Sequence, residues 1–218
     1  MTSSTPRTRS FTPVENPADR PRVSRTTVRV LLLNPDGDTL LFEDSDPGLD
    51  DTRWWMTPGG GIDPGETETQ AAVREVAEET GFVLSPDDLL GPVARRHVVH
   101  GYSDQVIEQD ESFYLAQVET FDVDVSAHTP EEQITFKGYR WFSTEDLRTT
   151  DDWVWPRELE EILLLIETRG AGRSTSGSRR SRPSRTSDRS GLRGSGRGRT
   201  TIFCRAGDLA PAEHEGEP

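Results

Sequence analysis

Gly59-Gly60-Gly61-Ile62-Asp63-Pro64-Gly65-Glu66 runs directly into Thr67-Glu68-Thr69-Gln70-Ala71-Ala72-Val73-Arg74-Glu75-Val76-Ala77-Glu78-Glu79-Thr80-Gly81. The second part predicts a helix over Thr67–Thr80. Thr67 caps it, Gln70 three residues later completes a capping box, and Gly81 ends it as a C′ residue. At about 100° per residue, Ala72, Val73, Val76 and Ala77 share one arc of roughly 140°, the face that meets a sheet. Glu75, Glu78 and Glu79 share another arc, centred roughly 140° away. Like charges at these spacings cost about a few tenths of a kcal/mol per pair, and only Arg74 lies near enough to offset them. The pattern therefore asks for a cation, and hard divalent ions accept one or two carboxylates plus substrate phosphates. The preceding glycines allow a tight turn and can aim a backbone carbonyl at the same ion. A charge run is more often a solvated face, so the three glutamates alone leave both readings open.

Working outward, Thr26–Leu33 is an apolar strand. Asn34-Pro35-Asp36-Gly37-Asp38 is a turn, and Thr39–Glu43 is its hairpin partner. Asp44–Asp51 is an acidic loop, and Trp54–Thr57 is a short strand stopped by Pro58. Gly91–Gly101, Glu111–Val123 and Phe136–Phe142 read as later strands. Ser143-Thr144-Glu145-Asp146-Leu147 opens a short helix. Pro156–Thr168 carries Leu159, Ile162, Leu163 and Ile166 at helical spacing. Five or six strands interleaved with two substantial helices give a mixed α/β class.

The 218 residues are only 31% hydrophobic, with a mean hydropathy of -0.70. The deficit lies at the ends. Residues 1–24 are rich in Ser, Thr, Pro and Arg, and 169–218 form a low-complexity Arg/Ser/Gly-rich tail. Both are expected to be disordered or loosely attached, leaving 25–168 as the folded domain. Residues 1–168 hold 14 basic against 34 acidic residues, whereas 169–218 hold 11 against 5. An acidic domain does not wrap nucleic acid unaided, so no specific nucleic-acid partner is expected for it, and an anionic substrate would approach only with cations. The tail is expected to have no specific role, although its charge would suit nucleic acid or an acidic surface. Cys204 is the only cysteine, which excludes an intrachain disulfide and a cysteine zinc site. No secretory leader or membrane span is read, so the expected location is cytoplasmic.

Gly60, Glu66 and Arg74-Glu75-Val76-Ala77-Glu78-Glu79-Thr80-Gly81-Phe82 match, at every specified position, the pattern G-x5-E-x7-R-E-U-x-E-E-x-G-U, with U apolar. In this the chain resembles the Nudix family. Trp54-Trp55-Met56-Thr57-Pro58-Gly59-Gly60 is similar to the family's W-x-x-P-G-G approach. Tyr139–Leu147 looks like its late strand and following helix start. The resemblance implies an α/β/α sandwich around a mixed sheet and Mg²⁺- or Mn²⁺-dependent hydrolysis of a nucleoside diphosphate linked to another group. It implies that Glu75, Glu78 and Glu79 supply the metal site, Glu79 foremost, with the carbonyl of Gly59 or Gly60 as a further oxygen. Arg74 would orient Glu75. Glu66 would tie the loop to the helix, and Gly81 completes the structural positions of the box. A downstream loop often provides the general base in this family; Glu131 and Glu132 are the candidates, Glu132 preferred, with Glu111 behind them.

For substrate contacts, Arg53, Arg95, Arg96 and Lys137 are candidate phosphate ligands, and Trp54, Tyr102 or Phe113 a candidate base-stacking surface. His97 and His100, three apart on a strand, point to opposite faces and do not form a metal pair. Lys137 is the only lysine, which removes a P-loop, and Gly101-Tyr102-Ser103-Asp104-Gln105 lacks the second glycine of a nucleophile elbow. The expected partner is a small nucleotide, and a homodimer is compatible with the sequence. Triphosphate pyrophosphohydrolysis is favoured over ADP-ribose or nucleotide-sugar hydrolysis. A nucleotide sensor without turnover is the rival of another class, and the unbroken box argues against it.

Overall fold

A computed structural model describes residues 9–171, with side chains through residue 166. Seven strands form one mixed sheet: β1 (Arg22–Leu33), β2 (Thr39–Ser45), β3 (Arg53–Met56), β4 (Leu90–Gly101), β5 (Val106–Gln117), β6 (Gly138–Phe142) and β7 (Val154–Trp155). The order is β4-β5-β1-β2-β3-β7, with β6 also paired to β2. β1 and β5 run parallel over the full length of β1, and β3 and β7 are parallel too; the remaining pairs are antiparallel. The helices are α1 (Glu68–Thr80), α2 (Pro130–Thr135), α3 (Thr144–Thr149) and α4 (Leu159–Ala171).

Alternation along β1 builds the two core layers. Val28, Val30 and Leu32 join Leu40, Phe42 and the α1 residues Ala71, Ala72 and Val76 on one face. Leu31 joins Leu41, Phe113, Leu115, Phe142 and the α4 residues Leu159, Ile162 and Leu163 on the other. A sheet with apolar residues on both faces has to be covered twice, and α1 and α4 do so. The result is the α/β/α sandwich.

The glycine loop is seated by the sheet itself. Val30 N–H donates to Pro58 O at 2.8 Å, and Val28 N–H donates to Gly60 O at 2.9 Å. The loop thus lies against β1 on the side away from β5. Gly59 has φ +130°, and a Cβ there would stand 2.2 Å from Val28 O. Only glycine fits.

Several expectations are revised. Residues 9–24 are not a loose segment within the part described. Phe11 is buried, the Arg9 guanidinium pairs with Asp104, and Val14 N–H donates to Ser103 O. Long-range ion pairing and one buried ring supply the ordering that local composition lacks. β5 begins at Val106, not Glu111, because buried polar side chains (Gln109, Glu111) interrupt its apolar pattern. α2 and β7 are additional elements, both very short. The expected disordered tail lies, from residue 172 on, outside the described residues.

Candidate active site

The helix that carries the acidic cluster is anchored at both ends. Thr67 and Gln70 form a reciprocal capping box, and Gly81 closes the C-terminus at φ 72°. Glu75, Glu78 and Glu79 sit toward the negative end of the helix dipole, and no basic residue lies in the last turn. That placement adds to their mutual repulsion.

Arg74 answers much of it. Its Nε and Nη2 donate to Glu66 Oε1 and Oε2 at 2.8 and 2.9 Å. Nη1 donates to Glu75 Oε1 at 2.8 Å and to Glu78 Oε2 at 3.0 Å, and Nη2 reaches Gly61 O at 2.8 Å. Arg74 therefore joins three carboxylates and the glycine loop, a wider role than orienting Glu75 alone. Glu66 also accepts Asp63 N–H, and the Arg74 hydrogen bonds hold its carboxyl down at about 2.

Glu75 is not on a solvated face. It is 8% exposed, because the loop packs over it so closely that a Cβ on Gly60 would stand 2.6 Å from its Oε2. Burial raises its carboxyl above the usual range. Glu79 accepts the Gly59 N–H at 2.7 Å. Burial, reinforced by the Glu75 and Glu132 charges, pushes its carboxyl well above the ordinary value, against the Gly59 hydrogen bond and the Arg29 charge. Glu78 is about half exposed.

Glu79 and Glu132 line one polar pocket of about 340 Å³, with Arg29, Asp44, Met56 and His128. Glu132 lies on α2, where its Oε2 caps the helix by accepting Thr129 N–H at 2.7 Å. Of the other base candidates, Glu131 accepts the Arg9 N–H at 2.6 Å. Glu111 is 1% exposed and enclosed by Arg29, Arg96 and Gln109; those two guanidiniums lower its carboxyl despite burial. A carboxylate so enclosed has no route to a water, so Glu111 is removed as a base.

Met56 also borders a second, mainly apolar cleft, whose walls include Trp54, His100, Tyr102, Trp153 and Trp155. Of the substrate-contact candidates, Trp54 and Tyr102 meet there, ring centroids 5.8 Å apart. The basic candidates are not brought together. Arg53 pairs with Glu43, Arg95 with Glu68, and Lys137 Nζ donates to Ile134 O. Arg96 is buried against Glu111 and over the Trp155 ring, which makes it an interior counter-charge, not a surface cation. Phe113 is a core residue. His97 is exposed and His100 buried, on opposite faces as their spacing requires.

Arg29, Asp44 and His128 line the polar pocket without having been singled out in the sequence. Arg29 reads as one polar residue in an apolar strand, and its burial depends on a partner 82 positions away. His128 packs edge-on to Phe42 and Phe136 and its Nε2 lies 2.9 Å from Glu79 O; no local pattern announces it.

Among the described residues, no three His, Cys, Asp or Glu side chains are already closed into a metal-binding group. The reason is visible: Arg74 draws in Glu75 and Glu78, while Gly59 N–H holds Glu79. The donors nevertheless suit a hard cation. All are oxygens, and Glu79 is a half-buried acid held by a single backbone N–H. Gly60 leaves no side chain between Glu75 and the loop. A magnesium-like ion that keeps most of its waters needs only one or two such carboxylates.

The chain is similar to several known proteins. The RNA pyrophosphohydrolase of Erythrobacter litoralis is 31% identical over 133 residues, 56% of this chain and 78% of that protein. The asymmetrical bis(5'-nucleosyl)-tetraphosphatase of Rattus norvegicus is 30% identical over 128 residues, covering 58% and 71% respectively. A crystal structure of a MutT protein from Methanosarcina mazei aligns at TM-score 0.49 and 21% identity over 70% of this chain and 97% of that one. Residues 23–161 match the NUDIX domain family, and with the glycine loop, box helix and sandwich in place the chain belongs to the Nudix hydrolases.

Proposed function

We propose that this Nudix pyrophosphohydrolase hydrolyses a phosphoanhydride bond in a small nucleotide, a nucleoside triphosphate by preference, with Mg²⁺ or Mn²⁺ held at the box helix. The observation that carries this reading is the pocket in which Glu79, backed by Glu75 and the Gly59–Gly60 backbone, meets Glu132 and adjoins an aromatic cleft. Relatives named RNA pyrophosphohydrolase and bis(5'-nucleosyl)-tetraphosphatase support phosphoanhydride cleavage.

Glu79 and Glu75 would hold the ion, with Glu78 at the exposed margin; the Gly59 and Gly60 carbonyls already accept Arg29 Nη1 and Val28 N–H. When bound, the ion neutralises diphosphate oxygens and favours charge on the departing phosphate. The protein's own groups do the rest. Trp54 and Tyr102 present ring surface to the base, worth about 1–3 kcal/mol per stacked base, so that the phosphates lie toward Glu79. Glu132 accepts a proton as water oxygen bonds to phosphorus. The bond from phosphorus to the bridging oxygen breaks, its electron pair leaves with the departing phosphate, and two phosphate-terminated products result. Arg74 keeps Glu66, Glu75 and Glu78 in place throughout.

A small substrate is favoured over an RNA end because residues 1–168 hold 14 basic against 34 acidic residues, which penalises a polyanion. Product formation would be followed by anion-exchange chromatography across nucleoside triphosphates, ADP-ribose, nucleotide sugars, dinucleoside tetraphosphates and 5'-triphosphorylated RNA, with and without Mg²⁺. The expected result is Mg²⁺-dependent turnover of a mononucleotide. Turnover confined to RNA would refute the small-substrate reading, and tight nucleotide binding without turnover would make the protein a sensor.

A further inference from the structure

We propose that Arg29, held by Glu111, is a positioning residue that fixes the Gly59 backbone on which Glu79 rests; the proposal builds on the reading of Glu79 as a metal ligand. β1 is apolar around this position. Val28, Val30, Leu31 and Leu32 are fully buried, and Arg29 among them is 5% exposed. Burying a guanidinium and a carboxylate together is a poor way to gain stability, since well-packed apolar residues serve as well or better. The pair is better explained by what the guanidinium grips.

The loop's carbonyls divide into two sets. Pro58 O and Gly60 O accept backbone N–H groups of Val30 and Val28. Thr57 O and Gly59 O alternate with them and receive the Arg29 side chain instead, Nη1 at 3.3 and 2.7 Å. Arg29 thus completes, from a side chain, a pairing that the strand's backbone meets only at every second residue. On the other side of Gly59, its N–H holds Glu79 Oε2 at 2.7 Å. One glycine, in a conformation closed to other residues, joins β1 to the acidic helix. Glu111 aims the guanidinium through Nε at 3.2 Å. Arg29 also lines the pocket that Glu79 lines.

The test variant is Arg29→Met, which leaves Glu111 paired with Arg96 and Gln109. Mn²⁺ affinity would be read by electron paramagnetic resonance of the full-length protein, beside kcat, KM and the melting temperature. Outer-shell support of this kind is worth about 10–100-fold in metal affinity or activity. The expected result is a fall of that size in Mn²⁺ affinity and kcat, with KM for the nucleotide little changed and the melting transition still cooperative. A folded Arg29→Met protein with normal Mn²⁺ affinity and kcat would overturn the proposal, because a purely structural arginine moves only the melting temperature. Should Arg29→Met fail to fold, Arg29→Lys serves. It keeps the charge beside Glu111 but lacks the fork, so a lowered kcat at unchanged melting temperature is expected, and normal kcat overturns the proposal. Glu79→Gln separates the two levels. If it retains Mn²⁺ binding and turnover, the metal-site reading fails; if it loses both while Arg29→Met keeps them, only the positioning role fails.

Discussion

Two adjacent glycines should respond differently to the same added methyl group. At Gly60 a Cβ would meet the Glu75 carboxylate, Oε2 at 2.6 Å and Cδ at 2.7 Å, and no backbone atom is among the nearest three. That carboxylate is the far end of a flexible side chain. Restoring an ordinary 3.4 Å contact from 2.6 Å needs about 0.8 Å of retreat. Retreat by that much would stretch the 2.8 Å Arg74–Glu75 hydrogen bond to roughly 3.6 Å, beyond useful range. Arg74 keeps Glu66 and Glu78, so Gly60→Ala should cost about 1 kcal/mol. This corresponds to about 2–4 °C in melting temperature for a domain of this size. Activity should fall further, by about 10-fold or more, because Glu75 is displaced where the ion would sit. At Gly59 the Cβ meets backbone, Val28 O at 2.2 Å and Arg29 Cα at 2.9 Å, with φ +130°. Strain of about 1–3 kcal/mol adds to that collision, so Gly59→Ala should lose cooperative folding or most soluble yield. Circular dichroism melts and chromatographic product-formation kinetics on both variants decide the matter. A fully active Gly60→Ala, or a Gly59→Ala as stable as the parent, would refute the reasoning.

Glu79→Gln should lower kcat by at least about 10²-fold with an unchanged far-ultraviolet spectrum; near-normal turnover in the folded variant would remove Glu79 from the metal site. Trp54→Ala should raise KM by about 10-fold, as loss of one base-stacking surface implies, with little change in kcat; an unchanged KM would place the base elsewhere. His100 supplies an acid-sensitive position. Burial lowers its imidazole from 6.5 to about 4, so the unfolded chain takes up a proton below pH 6.5 while the folded one stays neutral. Its contribution to stability is complete above pH 6.5 and is lost as pH falls toward 4. The loss between pH 7.5 and 5 is about 2 kcal/mol. His100→Phe keeps a ring against Tyr102 and Trp155 and should melt with a smaller drop over that interval; equal drops would show that His100 does not carry the effect.

What could be seen in advance was local. The box helix carries its own punctuation in Thr67, Gln70 and Gly81, and the hairpin of β1 and β2 is announced by Asn34-Pro35-Asp36-Gly37. The acidic arc was legible from helical spacing, but its enclosure was not. Glu75 is buried by a loop that folds back over it, and Arg74 gathers Glu66 from eight residues earlier. α2 carries a local signal of its own: Thr129 and Glu132 form a capping box, with Pro130 in the first turn. β7 has two residues and no pattern of its own. The Arg29–Glu111 pair and the Arg9–Asp104 pair join positions 82 and 95 residues apart, and only the assembled sheet brings them together.

For the proposed chemistry to run, the box glutamates must hold a divalent cation in addition to Arg74. Direct titration of the purified protein with Mn²⁺, followed by electron paramagnetic resonance with and without nucleotide, addresses this without relying on turnover. Saturable binding that tightens when nucleotide is added is the predicted outcome. A signal indistinguishable from free Mn²⁺ under both conditions would leave Arg74 as the cluster's sole counter-charge and contradict the proposed chemistry.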